Sequence, residues 1–316
     1  MRLISLVPTD TKVDFIGRRM IAYAFSGLLL LASAGSLVTQ GLNLGIDFLG
    51  GILIEVRTSD GAPADLAALR FELGRLGLGE VALQEFGQPS DVLIRVQKQA
   101  GGEQAQQAAV QMVKAALGQA VEYRRTEFVG PKVGAELKRA ALWAVLAAIT
   151  VILLYIWFRF EWQFGVGAVI ALVHDVVTTV GLFSIFQLEF NLATVAAILT
   201  IAGYSINDTV VVYDRVRENF RKYKKLALPG LLNLSVNQTL SRTLLTSLTT
   251  LLALGALYVF GGAVIRGFTV ALIWGVVIGT YSSIFIAVSL LLLLEPRRGV
   301  AAGEDETAGP VRGPAS

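Results

Sequence analysis

At 316 residues, with 54% hydrophobic and 16% charged residues and a mean hydropathy of +0.63, the chain has the composition of an integral membrane protein. Zero cysteines exclude disulfides, Cys-ligated zinc and thiol chemistry, and one histidine excludes a multi-His metal site, so no cofactor or metal is implied. The formal net charge of +3 is small and tied to segments flanking apolar runs, which does not point to nucleic acid.

Six apolar runs, at 20–40, 140–158, 164–186, 190–213, 244–260 and 268–294, have the length of a membrane helix. Roughly 20 apolar residues match a hydrocarbon core of about 30 Å. Arg18 and Arg19 precede the first run, and Arg297 and Arg298 follow the last. Arg215, Arg217, Arg221, Lys222, Lys224 and Lys225 follow the fourth, whereas the turn 187–190 has no Lys or Arg and the fifth-to-sixth connection has only Arg266. The positive-inside rule then puts both termini in the cytoplasm. Ala32-Ser33-Ala34 resembles a signal-cleavage site, but hydrophobic residues continue past it to Leu44 and Ile46, so 20–40 is expected to be an uncleaved span after a cytoplasmic segment, 1–19.

The first span exits into Gly45-Ile46-Asp47-Phe48-Leu49-Gly50-Gly51, where the glycines permit tight turns and close backbone approach. Asp47, near the outer interface, is expected to be a cap or turn carboxylate. Residues 52–135 form the only long extramembrane segment. Strands are expected at 52–57, 80–86, 91–97 and 121–129, with Gly87-Gln88-Pro89-Ser90 as a turn. Pro63 marks a plausible first helical position ahead of Leu66, Leu69, Leu73 and Leu76, and Gly101-Gly102 opens a second helix. The order β-α-β-β-α-β is that of the split βαβ, ferredoxin-like fold. The fold class is thus an α-helical polytopic membrane protein with one extracytoplasmic α+β domain, 45–135 including its Gly-rich entry. Spans two to six occupy 136–296. A Gly/Pro-rich tail, 297–316, is expected to be disordered.

Three carboxyl or imidazole groups stand inside the apolar runs. His174-Asp175 lies near the middle of the third, and the choice between function and polar helix packing is open there. Asn207-Asp208 interrupts the fourth before another apolar stretch, Val210-Val211-Val212. An ionised Asp at membrane depth costs at least ~2.5–3.5 kcal/mol, so it faces other helices or a wet cavity. Arg242 opens the next apolar segment, and two antiparallel spans would bring it to the depth of Asp208. The pair reads equally as a proton-exchanging site or as a structural ion pair fixing two helices.

Four motifs in order resemble the SecF family, the smaller-subunit branch of the SecD–SecF export complex within the RND superfamily. They are the G-x-D-F-x-G-G run at 45–51, Ala171-Leu172-Val173-His174-Asp175-Val176, the stretch 203–219 around Asn207-Asp208, and Gln238-Thr239-Leu240-Ser241-Arg242-Thr243. The resemblance spans about Asp14 to Leu294. It implies a multi-pass protein of the bacterial cytoplasmic (inner) membrane, paired with SecD in a pseudo-twofold bundle and associated with the SecYEG channel. It implies use of the proton gradient to assist late preprotein translocation, with other Sec accessory membrane proteins as further partners. It assigns proton coupling to Asp208 and Arg242, with Asn207 beside them, acting with a carboxylate from SecD. His174 and Asp175 are supporting intramembrane polar groups; Gly45, Asp47, Phe48, Gly50 and Gly51 form the structural motif.

The implied role is a conformational coupling device rather than an enzyme, with motion passing through spans one and two to the outer domain. Two alternatives are an RND-family lipid or drug exporter subunit and an intramembrane aspartyl protease. The first would be expected to carry two six-span halves or to self-associate. The second lacks the G-x-G-D partner that Tyr213-Asp214 would need.

Overall fold

The structure, a computed structural model, describes residues 11–262 and 264–296. The expected disordered tail at 297–316, Arg297 and Arg298 included, lies outside the described residues, as do residues 1–10 of the N-terminal segment. Among the described residues, six helices are long and apolar enough to cross a membrane: α1 (Arg19–Thr39), α5 (Pro131–Arg159), α6 (Trp162–Ile185), α7 (Leu192–Lys222), α8 (Leu228–Phe260) and the composite Arg266–Leu294. The composite consists of α9 (Arg266–Ser282), a π-helical turn at Ser283–Ala287 and α10 (Val288–Leu294).

Two helices outrun their apolar stretches. α7 continues to Lys222 and α8 starts at Leu228, well before the run at 244–260. Beyond the apolar stretches the pattern becomes amphipathic: Val216 and Asn219 are buried on α7, and Leu231, Leu232, Ser235, Val236 and Thr239 on α8. Asn219 donates to Ser235 Oγ and Gln238 Oε1, each at 2.9 Å, and pins this extension of the hairpin. The segment before α1 closes the same end. Asn233 accepts from the Phe15 and Ile16 amides, and Asn237 from that of Val13, while Phe15 packs edge-on against Phe285.

Within the bundle, small residues set the closest approaches. A Cβ on Gly181 of α6 would lie 2.8 Å from Ser33 Cα of α1, and one on Gly279 of α9 would lie 3.3 Å from Ser205 Cβ of α7. Such positions let helices meet where lipid supplies no hydrophobic drive.

Between α1 and α5 stands the sheet domain. After a short helix, α2 (Ile46–Leu49), come β1 (Gly51–Thr58), α3 (Leu66–Gly74), β2 (Val81–Phe86), β3 (Gln88–Val96), α4 (Gly102–Leu117) and β4 (Val121–Val129). The sheet order is β2-β3-β1-β4 with every pair antiparallel, which is the split βαβ arrangement. Alternation along β1 and β3 separates two faces. Ile52, Ile54, Val56, Val92, Ile94 and Val96 form a core with Leu73, Ala109, Val113 and Leu117 of the two helices. Leu53 and Leu93 point the other way, onto Ile46.

Two local boundaries differ from expectation. α3 starts at Leu66, not at Pro63, because the Asp65 carboxylate accepts from the Ala67 and Ala68 amides at 2.9 and 3.0 Å and is the N-cap. The β2–β3 connection narrows to Gly87 (φ +91°), and Gln88, Pro89 and Ser90 belong to β3.

Candidate functional site

The bundle interior holds two carboxylates. Asp208 is 8% exposed on α7; its Oδ1 accepts from Thr243 Oγ1 of α8 at 2.8 Å and its Oδ2 from Ser283 Oγ in the π-helical turn. Arg242 adjoins Thr243 and is therefore at the depth of Asp208, but it is exposed and forms no ion pair with it among the described residues. Asn207 is exposed on the outer face of α7. The fold thus brings Arg242 level with Asp208 through its neighbour Thr243, and leaves Arg242 and Asn207 outside the first ring of contacts.

Asp175, one helix over on α6, is fully buried. Its Oδ1 lies 2.9 Å from His174 Nδ1, and its Oδ2 accepts from Ser205 Oγ of α7 at 2.6 Å and Ser282 Oγ of α9 at 2.7 Å. His174 is 3% exposed and its Nε2 has no hydrogen-bond partner among the described residues. Gly279 gives the space: a Cβ there would be 3.6 Å from Asp175 Oδ2. Ser205 and Thr243 fall within the motifs at 203–219 and 238–243, whereas Ser282 and Ser283 fall in none of the four. The signal for them was the polar run Tyr281-Ser282-Ser283 in the middle of an apolar stretch. π-Helical turns of this kind recur at functional sites.

The glycine-rich motif forms a second polar centre at the sheet end of the bundle. Gly45 N donates to Phe190 O at 2.9 Å and Phe190 N to Asn43 O at 2.8 Å, joining the exit of α1 to the turn before α7. Asp47 Oδ2 accepts from Leu192 N at 2.8 Å, so it caps the first residue of α7 beside the Asn191 capping box. Phe48 is buried against Ala141 and Val195. Gly50 (φ +71°) ends α2, and Gly51 (φ +126°) must be glycine, since a Cβ would stand 2.6 Å from Val96 O.

Arg95, on the bundle-facing side of β3, completes this centre by donating to Glu189 Oε2 and Asn43 Oδ1, each at 3.0 Å. Burial pushes the Glu189 carboxyl above the usual carboxylate range; the Arg95 guanidinium opposes the shift and the Asp47 charge adds to it. On the same sheet face Arg57 forks onto Asp91 at 2.5 and 2.7 Å and holds that carboxyl below its usual range. Sequence reasoning surveyed the turn 187–190 for cations and passed over Glu189.

Two family models match: "Protein export membrane protein SecD/SecF, C-terminal" over residues 109–297, and "SecD/SecF GG Motif" over 35–62. Among curated relatives, SecF of Rickettsia akari is 48% identical over 299 residues, covering 93% of this chain and 96% of its own length. SecF of Magnetococcus marinus is 54% identical over 299 residues, with 92% and 96% coverage. The crystal structure of a Thermus SecDF, titled a translocon-associated membrane protein, superposes with a TM-score of 0.82 at 37% identity over 92% of this chain. A second SecDF structure, in a super-membrane-facing form, gives 0.67 at 37% identity over 90%. The chain spans 40% and 39% of the length of those two SecDF chains. With six membrane-capable helices and these matches, it is a multi-pass membrane protein and belongs to the SecD/SecF family of protein-export membrane proteins, on its SecF branch.

Proposed function

We propose that this chain is the SecF-type subunit of a protein translocase. It pairs with a SecD-type partner and uses the proton motive force to assist late preprotein translocation across the bacterial cytoplasmic membrane through SecYEG. The observation that carries the reading is the Asp208 carboxyl, buried at membrane depth and held by two hydroxyls rather than by a cation. A hydroxyl donates to a carboxylate and accepts from a carboxylic acid, so Thr243 and Ser283 serve both protonation states. A direct Arg–Asp fork would hold one state only. The relatives' SecF names at this coverage disfavour the lipid- or drug-exporter alternative.

Arg242 and Asn207 complete the site from outside. An Arg exposed to hydrocarbon costs ~2.5–3.5 kcal/mol even on lenient scales, which favours a protein partner over this face of α7 and α8. The SecD-type bundle fits there, bringing its carboxylate to Arg242. Positive-inside logic supports cytoplasmic termini. The basic stretch 215–225 and Arg18-Arg19 lie at the bundle end opposite the sheet domain, which supports the reading of residues 45–135 as the outside domain.

Motion has a direct path as well as the one through the first two spans. α7 carries Asp208, and its first residue is capped by Asp47 at the foot of the sheet domain. One elementary charge crossing 100 mV supplies ~2.3 kcal/mol. The two states must therefore be nearly balanced.

The test is export by Asp208→Asn and Arg242→Lys variants in membrane vesicles with the full translocase. Both should assemble with the partner and keep ATP-driven translocation, and both should lose the gradient-dependent part. A structural ion pair instead predicts lowered assembly, rescued by combining Asp208→Asn with Arg242→Gln.

A further inference from the structure

We propose that Asp175 is a second proton-binding carboxylate, and that the adjacent Ser282 and Ser283 couple its protonation to that of Asp208. This rests on the reading of Asp208 as the proton carrier and extends it to a pair.

The first support is the chemistry around Asp175. Among the described residues no Lys or Arg pairs with it, and every polar contact to its carboxyl comes from His174, Ser205 or Ser282. An imidazolium at His174 would present a second N–H, at Nε2, to no acceptor. The geometry therefore suits the neutral ring protonated at Nδ1, which donates to Asp175 Oδ1 whether or not Oδ2 carries a proton and leaves Nε2 bare. The carboxyl, not the ring, is the place for a proton to reside.

The second support is that each serine has two acceptors for its one hydrogen. Ser282 Oγ lies 2.7 Å from Asp175 Oδ2 and 3.1 Å from Gly279 O. Ser283 Oγ reaches Asp208 Oδ2 and, at 3.0 Å, Thr280 O. When the carboxyl is ionised the serine donates to it. When the carboxyl is protonated the serine turns its hydrogen to its own helix and accepts instead. Each serine therefore keeps a partner in either state.

The third support is position. Ser282 ends α9 and Ser283 opens the π-helical turn, so the two carboxylates are read by consecutive residues where the helix changes register. Ser205 and Asp208 are likewise one turn apart on α7, so both carboxylates also meet on that helix. Any shift of this turn toward α geometry moves both serines together. Coupling of this kind is reciprocal: each proton alters the affinity for the other. The remaining groups facing the pair are Tyr281, whose ring lies 6.2 Å from His174 and whose hydroxyl meets Ser26 of α1 at 2.9 Å, and Arg242, which acts on Asp208 through space.

The test is a pH titration, by infrared difference spectroscopy, of the protonated-carboxyl band in the assembled complex reconstituted into liposomes. Asp175→Asn should remove one titrating band. It should also move the midpoint of the band that Asp208→Asn abolishes by about one pH unit, the scale of interacting sites. Ser282→Ala, which leaves Asp175 its His174 and Ser205 contacts and never touches Asp208, should move that same midpoint. It keeps the test open should Asp175→Asn fail to assemble. An Asp208 midpoint unmoved by Ser282→Ala, or no titrating band lost in an assembled Asp175→Asn complex, overturns the proposal. Absence of any titrating band lost on Asp208→Asn would instead overturn the underlying reading of Asp208.

Discussion

Asp47 and Asp208 both hold α7, one at its first residue and one deep in the bundle, and they are satisfied in opposite ways. At the sheet end, Asp47 takes a backbone amide, and Glu189 beside it takes the Arg95 guanidinium. In the bundle, Asp208 and Asp175 take side-chain hydroxyls and an imidazole nitrogen, and among the described residues no Lys or Arg pairs with either. Amides and guanidinium only donate, so they favour the ionised form of a carboxylate, against the opposing effect of burial at Glu189; hydroxyls donate or accept, so they tolerate a change of state. The sheet end holds α7 in register with the sheet domain. On the proposed reading, the bundle centre accommodates one proton more or less.

The contrast can be broken most severely at Gly51. Gly51→Val forces a branched residue into φ +126° against Val96 O. Backbone strain of ~1–3 kcal/mol adds to an overpacking cost of similar size. We expect loss of most of the assembled protein from the membrane, measured by abundance and thermal unfolding, whereas Asp208→Asn leaves abundance normal.

Arg95→Ala comes next. Its side chain is 17% exposed and that of Glu189 is 22% exposed, so removing one partner of this half-buried pair is expected to cost about 1–3 kcal/mol of domain docking. Hydrogen exchange across β3 and the turn before α7 measures it. The pH sign is fixed by Glu189, whose carboxyl sits above the usual range. Between that range and its raised value the docked state binds more protons than the undocked one, so docking weakens as pH rises through that window. Asp91, held low by Arg57, behaves in the opposite sense: its contribution is present above the usual carboxylate range and is lost as pH falls through its lowered value.

Thr243→Val removes one of two hydroxyls from Asp208 with little change of shape. The expected loss is about 1 kcal/mol of stability. Gradient-dependent export should fall while ATP-driven translocation is unchanged. The smallest effect belongs to Asp47→Asn, which keeps an acceptor for Leu192 N; docking by hydrogen exchange should change by only a few tenths of a kcal/mol, against ~0.5–2 kcal/mol for Asp47→Ala.

The difference between the two regions also decides what was legible in the sequence. Asp208 and Asp175 announce themselves, because a charge inside an apolar run has few places to go. Hairpin geometry puts Arg242 level with Asp208 from spacing alone. Two of the groups that hold the carboxylates, Ser282 and Ser283, come from the end of α9 and the π-helical turn, 75 residues beyond Asp208 in the case of Ser283, and no local pattern links them. The six helices were legible from apolar length, but the ends of α7 and α8 were not. There burial comes from each helix packing on the other rather than from lipid, as Asn219 on Ser235 illustrates. In the sheet domain, alternation and turn residues carried the strand order. The start of α3 was misjudged because a Pro at the first position competes with an Asp cap two residues later, and the cap sets the boundary.

The central claim is that Asp208 carries a proton between the two sides of the membrane. It is tested most directly by proton flux into liposomes containing the assembled complex, under an imposed pH gradient and membrane potential, with a trapped pH-sensitive dye. The wild-type complex should acidify the lumen and the Asp208→Asn complex, assembled to the same level, should not. Equal flux through both would contradict the account.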